Sequence, residues 1–205
     1  SQKANGSEVV NNRKVIARLL IELLEMRVNV LYFDSTTISD QSFLQKCWVR
    51  SDCKNTLPVG QQIKPIKVMA LISQDHFQSI QFVRKTNAHT IAKFLSRSLQ
   101  HLKLVHQDMP VAIFLDNAKP HKSDVVIQAI ERHAAIVLFN AVGSPKANLV
   151  EFFFEFCKRE LRRNFNLTPY SSICSFFNAV KRFENSGLEK AQLRQQLGLF
   201  EYLLA

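Results

Sequence analysis

The apolar pattern changes period several times along the chain, and each change predicts an element. Residues 8–26, EVVNNRKVIARLLIELLEM, carry apolar side chains at 15, 16, 19, 20, 23 and 24. That i, i+3/i+4 spacing gives a helix one buried stripe. Val28–Asp34, VNVLYFD, is β-branched and aromatic and reads as a strand that ends on an acid, with Ser35-Thr36-Thr37 after it. Phe43–Val49 holds the only tryptophan, Trp48, and the turn-rich RSDCKNTLPVGQQ follows. Ile66–Ser73 and Phe77–Val83 are two further strands, and Gln74-Asp75-His76 between them suits a tight turn. The early chain is thus an antiparallel meander.

The second half alternates. Asn87 is placed to cap a helix over 88–104, with apolar positions 91, 94, 95, 99 and 102. Val111–Asp116 is a short apolar strand, Ser123 starts a helix over 124–133, and Ala135–Asn140 is a last strand. The loop Ala141–Lys146 contains Gly143 and Pro145, and Asn148 is placed to cap a helix reaching Arg163. Thr168-Pro169 supplies an N-cap and a first helical residue, and helices over 170–184 and 188–203 close the chain. Meander, helix, strand, helix, strand and helices is the element order of the α/β RNase H-like fold, a mixed sheet flanked by helices. The expected organisation is an N-terminal linker helix over 1–27, a catalytic domain over 28–163, and a C-terminal helical extension over 164–205 packed on it.

Two of these strands stop on carboxylates, Asp34 and Asp116. Sheets of this kind carry their chemistry just past the carboxyl ends of strands. A right-handed crossover sets the second strand parallel to an earlier one, which brings both acids to one edge of the sheet. The helix after the last strand offers Glu151 and Glu155 as a third acid. Glu155 is also spaced to pair with Arg159 at i+4, so Glu151 is preferred. Three converging carboxylates suit Mg²⁺ or Mn²⁺, and two such ions support in-line phosphoryl transfer.

Charge sharpens that reading. The net charge is +10 and the pI near 9.7, which points to an anionic partner, nucleic acid first. No run is long and apolar enough to cross a membrane as a helix, and the polar start SQKANGSEVVNNRK lacks a signal peptide's apolar region. Cys47, Cys53, Cys157 and Cys174 have no zinc-site spacing and read as reduced, buried or half-buried thiols of an intracellular protein. The first residue is not Met, which leaves room for an upstream domain.

The three acid segments, VLYFDSTTIS, VAIFLDNAKPH and SPKANLVEFFFEFCK, resemble the motifs of DDE transposases of the mariner superfamily and related bacterial insertion-sequence transposases. Asp-Asn-Ala followed by His is the most specific match. The third segment resembles Ser-Pro-x-x-Asn-Pro-x-Glu before an aromatic-rich helix, and 34 residues separate Asp116 from Glu151, an interval similar to that family's. The resemblance spans roughly residues 28–163. It implies a DDE triad of Asp34, Asp116 and Glu151 holding two Mg²⁺ or Mn²⁺ ions. It implies cleavage of DNA at transposon ends and strand transfer into target DNA, with no covalent enzyme–DNA intermediate. It further implies a homodimer on DNA, an upstream helix-turn-helix domain absent from this chain, and residence with genomic DNA, in the nucleus of a eukaryote or the cytoplasm of a bacterium. Two positions depart from the pattern, Ser35 where Glu often follows the Asp, and Leu149 where Pro is usual. They keep two alternatives open, a domesticated DNA-binding or assembly module whose catalysis has lapsed, and a nuclease of the same fold.

Around the triad, Asn117 is a candidate to orient Asp116, to contact DNA or to form an Asx-turn, and His121 to hydrogen-bond the site or simply start a helix. Lys119, Lys122 and Lys146, and the helical run Lys158, Arg159, Arg162 and Arg163, are candidate phosphate contacts or solvated charges. Phe152, Phe153, Phe154 and Phe156 read mostly as core, and Trp48 as core or a DNA contact.

Overall fold

The computed structural model describes residues 6–38, 65–74, 77–105, 109–163 and 169–204. Trp48, Cys47, Cys53, the RSDCKNTLPVGQQ segment, Asp75, His76 and Thr168 lie outside the described residues, and so do the expectations placed on them.

Helix α1 (Gly6–Glu25) leads into strand β1 (Asn29–Ile38), β2 (Ile66–Ile72) and β3 (Phe77–Val83). Then come α2 (Ala88–Val105), β4 (Val111–Leu115), α3 (Asp124–Glu131) and β5 (Ile136–Phe139). A single 3₁₀ turn (Pro145–Ala147) precedes α4 (Leu149–Arg163), which is followed by α5 (Pro169–Arg182) and α6 (Leu188–Leu204). The sheet order is β3-β2-β1-β4-β5. β1, β2 and β3 pair antiparallel, and β4 and β5 run parallel to β1. This is the RNase H-like arrangement, a mixed sheet covered by helices on both faces.

The central strands are apolar because both of their faces are covered. Val30 and Tyr32 point to one layer, packed with residues of α1, α4, α5 and α6. Leu31 and Phe33 point to the other, packed with residues of α2 and α3. Strand alternation therefore assigns Asp34 to the α4 side, together with Tyr32. β4 repeats the rule, with Ala112 and Phe114 on the α4 side and Ile113 and Leu115 opposite.

Several element ends differ from the sequence reading. β1 does not stop at Asp34 but runs on to Ile38, because β2 continues to pair with it through Thr36↔Val68 and Ile38↔Ile66. A backbone ladder needs no apolar side chains, so the polar Ser35-Thr36-Thr37 gave no sign of it. α3 ends at Glu131, where Ala134 takes a left-handed conformation (φ 52°) before β5. The last two helices are joined by one π-helical turn, Phe183–Gly187. A Cβ at Gly187 would lie 2.7 Å from the Phe183 ring, so glycine permits that close packing.

The caps divide similarly. Asn87 caps α2, its Oδ1 accepting from Thr90 N at 2.9 Å. Ser123 occupies the N-cap position of α3, but its hydroxyl donates backward to Pro120 O at 2.8 Å. α1 ends in a Schellman pair, Val28 N to Leu23 O at 2.9 Å and Arg27 N to Leu24 O at 3.0 Å. Its left-handed residue is Arg27 (φ 60°), where glycine is usual. A side chain in that region costs about 1–2 kcal/mol, partly offset by the freedom a glycine loses on folding. Arg27→Gly is expected to raise stability by about 0.5–1 kcal/mol, read as a higher urea midpoint with unchanged slope.

Candidate active site

Three elements bring acids together. The parallel ladder pairs Tyr32 with Phe114, and two residues further along each strand stand Asp34 and Asp116. They are level with one another and on the same face. One ligand atom each from Asp34, Asp116 and His121 lie within 4.8 Å of one another, the metal-competent acid and imidazole group found among the described residues. Glu151, in the first turn of α4, comes within hydrogen-bonding reach of Asp34. An open cleft lined by Asp116, Asn117, Asn140, Ser144, Asn148 and Glu151 runs beside the acids.

Each acid is supported differently. Asp34 lies inside the β1–β2 ladder opposite Ala70, and its Oδ1 accepts from Ser35 N at 2.6 Å. Asp116 follows the last residue of β4 and forms the Asx-turn itself, its Oδ1 accepting from Ala118 N at 2.9 Å. The same oxygen meets Nδ1 of His121, a buried imidazole stacked edge-on against Phe33 at 5.3 Å between ring centres. His121 thus makes the hydrogen bond to the site that the sequence offered as one alternative. The Asn117 amide donates to Asn140 O and ties the β4 exit to the β5 exit. Asn140 in turn donates to Ser144 O at 2.7 Å.

The electrostatics show three carboxylates crowded together, with His121, Lys122 and Lys158 as their counter-charges. Burial pushes the Asp34 carboxyl up to about 7, against the Ser35 N–H bond, and the charges of Glu151 and Asp116 push the same way. Burial also raises Glu151; the Asp116 charge adds to this, while Lys158 and the Asp34 hydrogen bond oppose it. Burial of Asp116 opposes its charge too, but the His121 and Ala118 hydrogen bonds and the charges of His121 and Lys122 outweigh it and hold the carboxyl below its ordinary value. Carboxylate oxygens with one imidazole nitrogen beside them fit a divalent cation such as Mg²⁺ or Mn²⁺, whose charge would relieve the repulsion among the acids.

The sign of the pH effect is set by Asp34. Folded and metal-free, the protein keeps a proton there that the unfolded chain releases near 3.8. Stability from this group is full at acid pH and declines as pH rises from about 4 to about 7. Asp34→Asn is accordingly expected to flatten the fall in urea midpoint between pH 5 and pH 8 in chelator, and to leave the protein more stable than its parent at pH 8.

The basic candidates scatter. Lys119 and Lys122 are exposed beside the site, and the Lys122 ammonium sits 5.6 Å from the Phe139 ring centre. Lys158 is near enough for Glu151 to feel its charge. Lys146 pairs with Glu201 of α6, and Arg159 covers the Phe156 ring at 5.2 Å. Arg162 is half-buried. Glu155 does not pair with Arg159 as its spacing suggested; its nearest cation is Arg194 of α6, at 3.6 Å. Leu149, at the family's proline position, is the first residue of α4 and fully buried, so the departure trades a helix-start proline for core contact. Phe153 and Phe154 are core, with Phe152 and Phe156 partly buried. Cys157 is buried, and burial raises its thiol, whereas Cys174 is exposed rather than half-buried.

Sequence reasoning missed the residues that grip the turn before Glu151. Arg13 of α1 donates to Ser144 Oγ at 3.0 Å and Gly143 O at 2.8 Å, and Gln195 of α6 donates to Ala147 O at 2.7 Å. Arg13 is 130 residues away from Gly143 and Gln195 is 48 from Ala147, and no local pattern links such positions.

A family model described as DDE superfamily endonuclease matches residues 29–173. No curated protein matches the chain. Among solved structures, the Mos1 transposase catalytic domain with Raltegravir and Mn aligns at TM-score 0.67 and 15% identity, over 98% of both chains. The pre-cleavage Mos1 transpososome aligns at TM-score 0.68 and 16% identity, over 97% of this chain and 64% of that one. The Mos1 strand transfer complex gives TM-score 0.68 at 15% identity, over 97% of this chain and 62% of that one. The chain thus spans about 64% of the length of the first transposase chains it matches. At such identities the likeness is one of fold.

Proposed function

The chain belongs to the DDE superfamily endonucleases, and on that footing we propose that it is the catalytic domain of a DNA transposase, cutting strands at transposon ends and joining them to target DNA. The observation that carries this reading is the meeting of Asp34 of β1, Asp116 just past β4 and His121, with Glu151 of α4 within hydrogen-bonding reach of Asp34. Residues 28–163 form the catalytic unit in this reading, with α1 and the C-terminal helices packed against it. The substrate is DNA, met by a chain of net charge +10, and the working form on DNA is a homodimer. The protein acts inside the cell on genomic DNA, in the nucleus or the bacterial cytoplasm according to its host.

In this mechanism Asp34 and Asp116 would hold Mg²⁺ or Mn²⁺, and Glu151 would help to hold a second ion. Two such ions supply Lewis-acid activation of the attacking oxygen and charge neutralisation at the leaving oxygen. His121 holds Asp116 to one orientation, as partners of metal ligands do. Burial favours the protonated Asp34 carboxyl, so a proton and a cation would compete there. Lys119 and Lys122 beside the cleft are placed for DNA phosphates. Water attacks the phosphodiester at the transposon end and the P–O3′ bond breaks, releasing a 3′-hydroxyl and a 5′-phosphate; that 3′-hydroxyl then attacks a phosphodiester of target DNA and displaces the target's own 3′-oxygen as a hydroxyl.

The test is incubation with DNA bearing the inverted repeats that flank the gene, in Mg²⁺ or Mn²⁺, followed by separation of nicked and joined products. Cleavage and joining are expected. Cutting of RNA–DNA hybrids or four-way junctions but not of repeat ends would make it another nuclease of this fold. Salt-dependent DNA binding with no divalent-metal binding would make it a module whose catalysis has lapsed.

A further inference from the structure

We propose that Gln195 and Arg13 are positioning residues that fix Glu151 relative to Asp34, so that helices α1 and α6 set the affinity for the second metal ion. The inference rests on the transposase reading and adds to it two residues outside the three acid motifs.

The turn Asn140–Asn148 decides where α4 begins, and hence where Glu151 stands. Inside the sheet unit, among the described residues, it is tied at its start by Asn140 N to Leu115 O at 2.8 Å and by the Asn117 amide to Asn140 O. Its later half is held from outside. The Arg13 guanidinium reaches Ser144 Oγ and Gly143 O while lying 5.5 Å from the Tyr202 ring centre of α6. Gly143 has φ +66°, and a Cβ there would come within 3.2 Å of that guanidinium. Gln195 is fully buried and donates to Ala147 O at 2.7 Å, the carbonyl two residues before the helix that carries Glu151 begins. Gly198 lets α6 approach so closely that an added Cβ would stand 2.7 Å from Lys146 Cβ.

The other arm of the Gln195 amide reaches the end of β2. Its Oε1 accepts from Gln74 Nε2 at 3.3 Å, and Gln192 donates to Gln74 O. Gln74 follows β2, the strand that pairs with Asp34 through Ala70. The buried Tyr32 hydroxyl lies beside Gln74 and Gln195, short of a well-formed hydrogen bond, two residues before Asp34 on the same face of β1. One amide side chain therefore bridges the turn that places Glu151 and the strand pair that places Asp34. A buried polar group in this position has no reason to be retained for burial alone, since an apolar residue would bury at lower cost.

The experiment uses the whole chain and titrates Mn²⁺ by electron paramagnetic resonance, with thermal unfolding in chelator as a separate readout. Gln195→Met keeps the length and removes both hydrogen bonds. Arg13→Ala removes the outer grip from a half-exposed position. Each is expected to weaken the second Mn²⁺ by about tenfold or more, as loss of a supporting residue does in other metal sites, and to raise the Mn²⁺ needed for cleavage by the same factor. Glu151→Gln serves as the reference, losing the second ion outright. If the parent binds two ions and Glu151→Gln loses one, yet both variants titrate like the parent, the positioning role is overturned, even where they melt earlier. If Gln195→Met does not fold, Arg13→Ala alone decides. If the parent binds no Mn²⁺, the transposase reading falls and this inference with it.

Discussion

Asp116→Asn is expected to abolish DNA cleavage and strand transfer while leaving the protein folded. Asn nearly keeps the shape, so the Ala118 N–H can still be accepted at the Asx-turn. What goes is the charge that, in the proposed site, both ions share. Lewis-acid stabilisation of a phosphoryl transfer supplies several kcal/mol, and each 1.36 kcal/mol is tenfold in rate. The loss should therefore reach about a thousandfold or more, read as initial nicking rate at saturating Mn²⁺. Unchanged circular dichroism and DNA binding would show that chemistry alone was lost. If the variant turns over at the parental rate, Asp116 is not a ligand. Because Asp116 raises Glu151 through its charge, the variant should also bring the Glu151 carboxyl back toward its ordinary range.

Phe153→Ala carries the largest expected effect on stability. Phe153 is fully buried on α4, two residues after Glu151, and its ring packs against Phe154, Phe176 and Phe183 at 5.2, 6.1 and 5.1 Å between centres. Those partners come from α4, α5 and the π-helical turn, so one ring joins three successive pieces of the chain. Truncation to Ala should cost about 3–5 kcal/mol, a large part of the reserve of a domain that is stable by about 5–15 kcal/mol. Equilibrium urea unfolding would show a large fall in midpoint. Phe153→Leu, which keeps most of the volume, should lose much less. Equal losses for the two would mean that the cavity is not the cause.

Much of the site was legible because each acid follows a local signal. An apolar run that halts on Asp is visible at Asp116, and a polar turn with Pro before an aromatic helix is visible at Glu151. Both signals act within a few residues, the range over which pattern is informative. The meander and the parallel strands were legible for the same reason. What escaped were features set by partners far along the chain. The continuation of β1 past Asp34 depends on β2, not on its own side chains. The hold of Arg13 and Gln195 on the turn depends on how α1 and α6 are laid against the sheet. Glu155 shows the opposite failure: its i+4 spacing to Arg159 was a sound local argument, and a neighbouring helix still offered the nearer cation, Arg194. His121 lay between these cases, since its spacing from Asp116 suggested a contact that only the loop geometry could decide.

The run of β1 beyond Asp34 bears on how the acids can move. Asp34 is fastened in mid-strand, with backbone pairing to β2 both before and after it. Asp116 sits one step past the end of its own strand, and Glu151 rides on the first turn of a helix. The three form a vice with one fixed jaw. In the proposed reaction, a change of spacing as a phosphate is attacked and released would fall on the helix side. That is also the side on which Arg13, Gln195 and Glu201 take hold of the turn, so the strength of their grip governs how far the moving jaw can open.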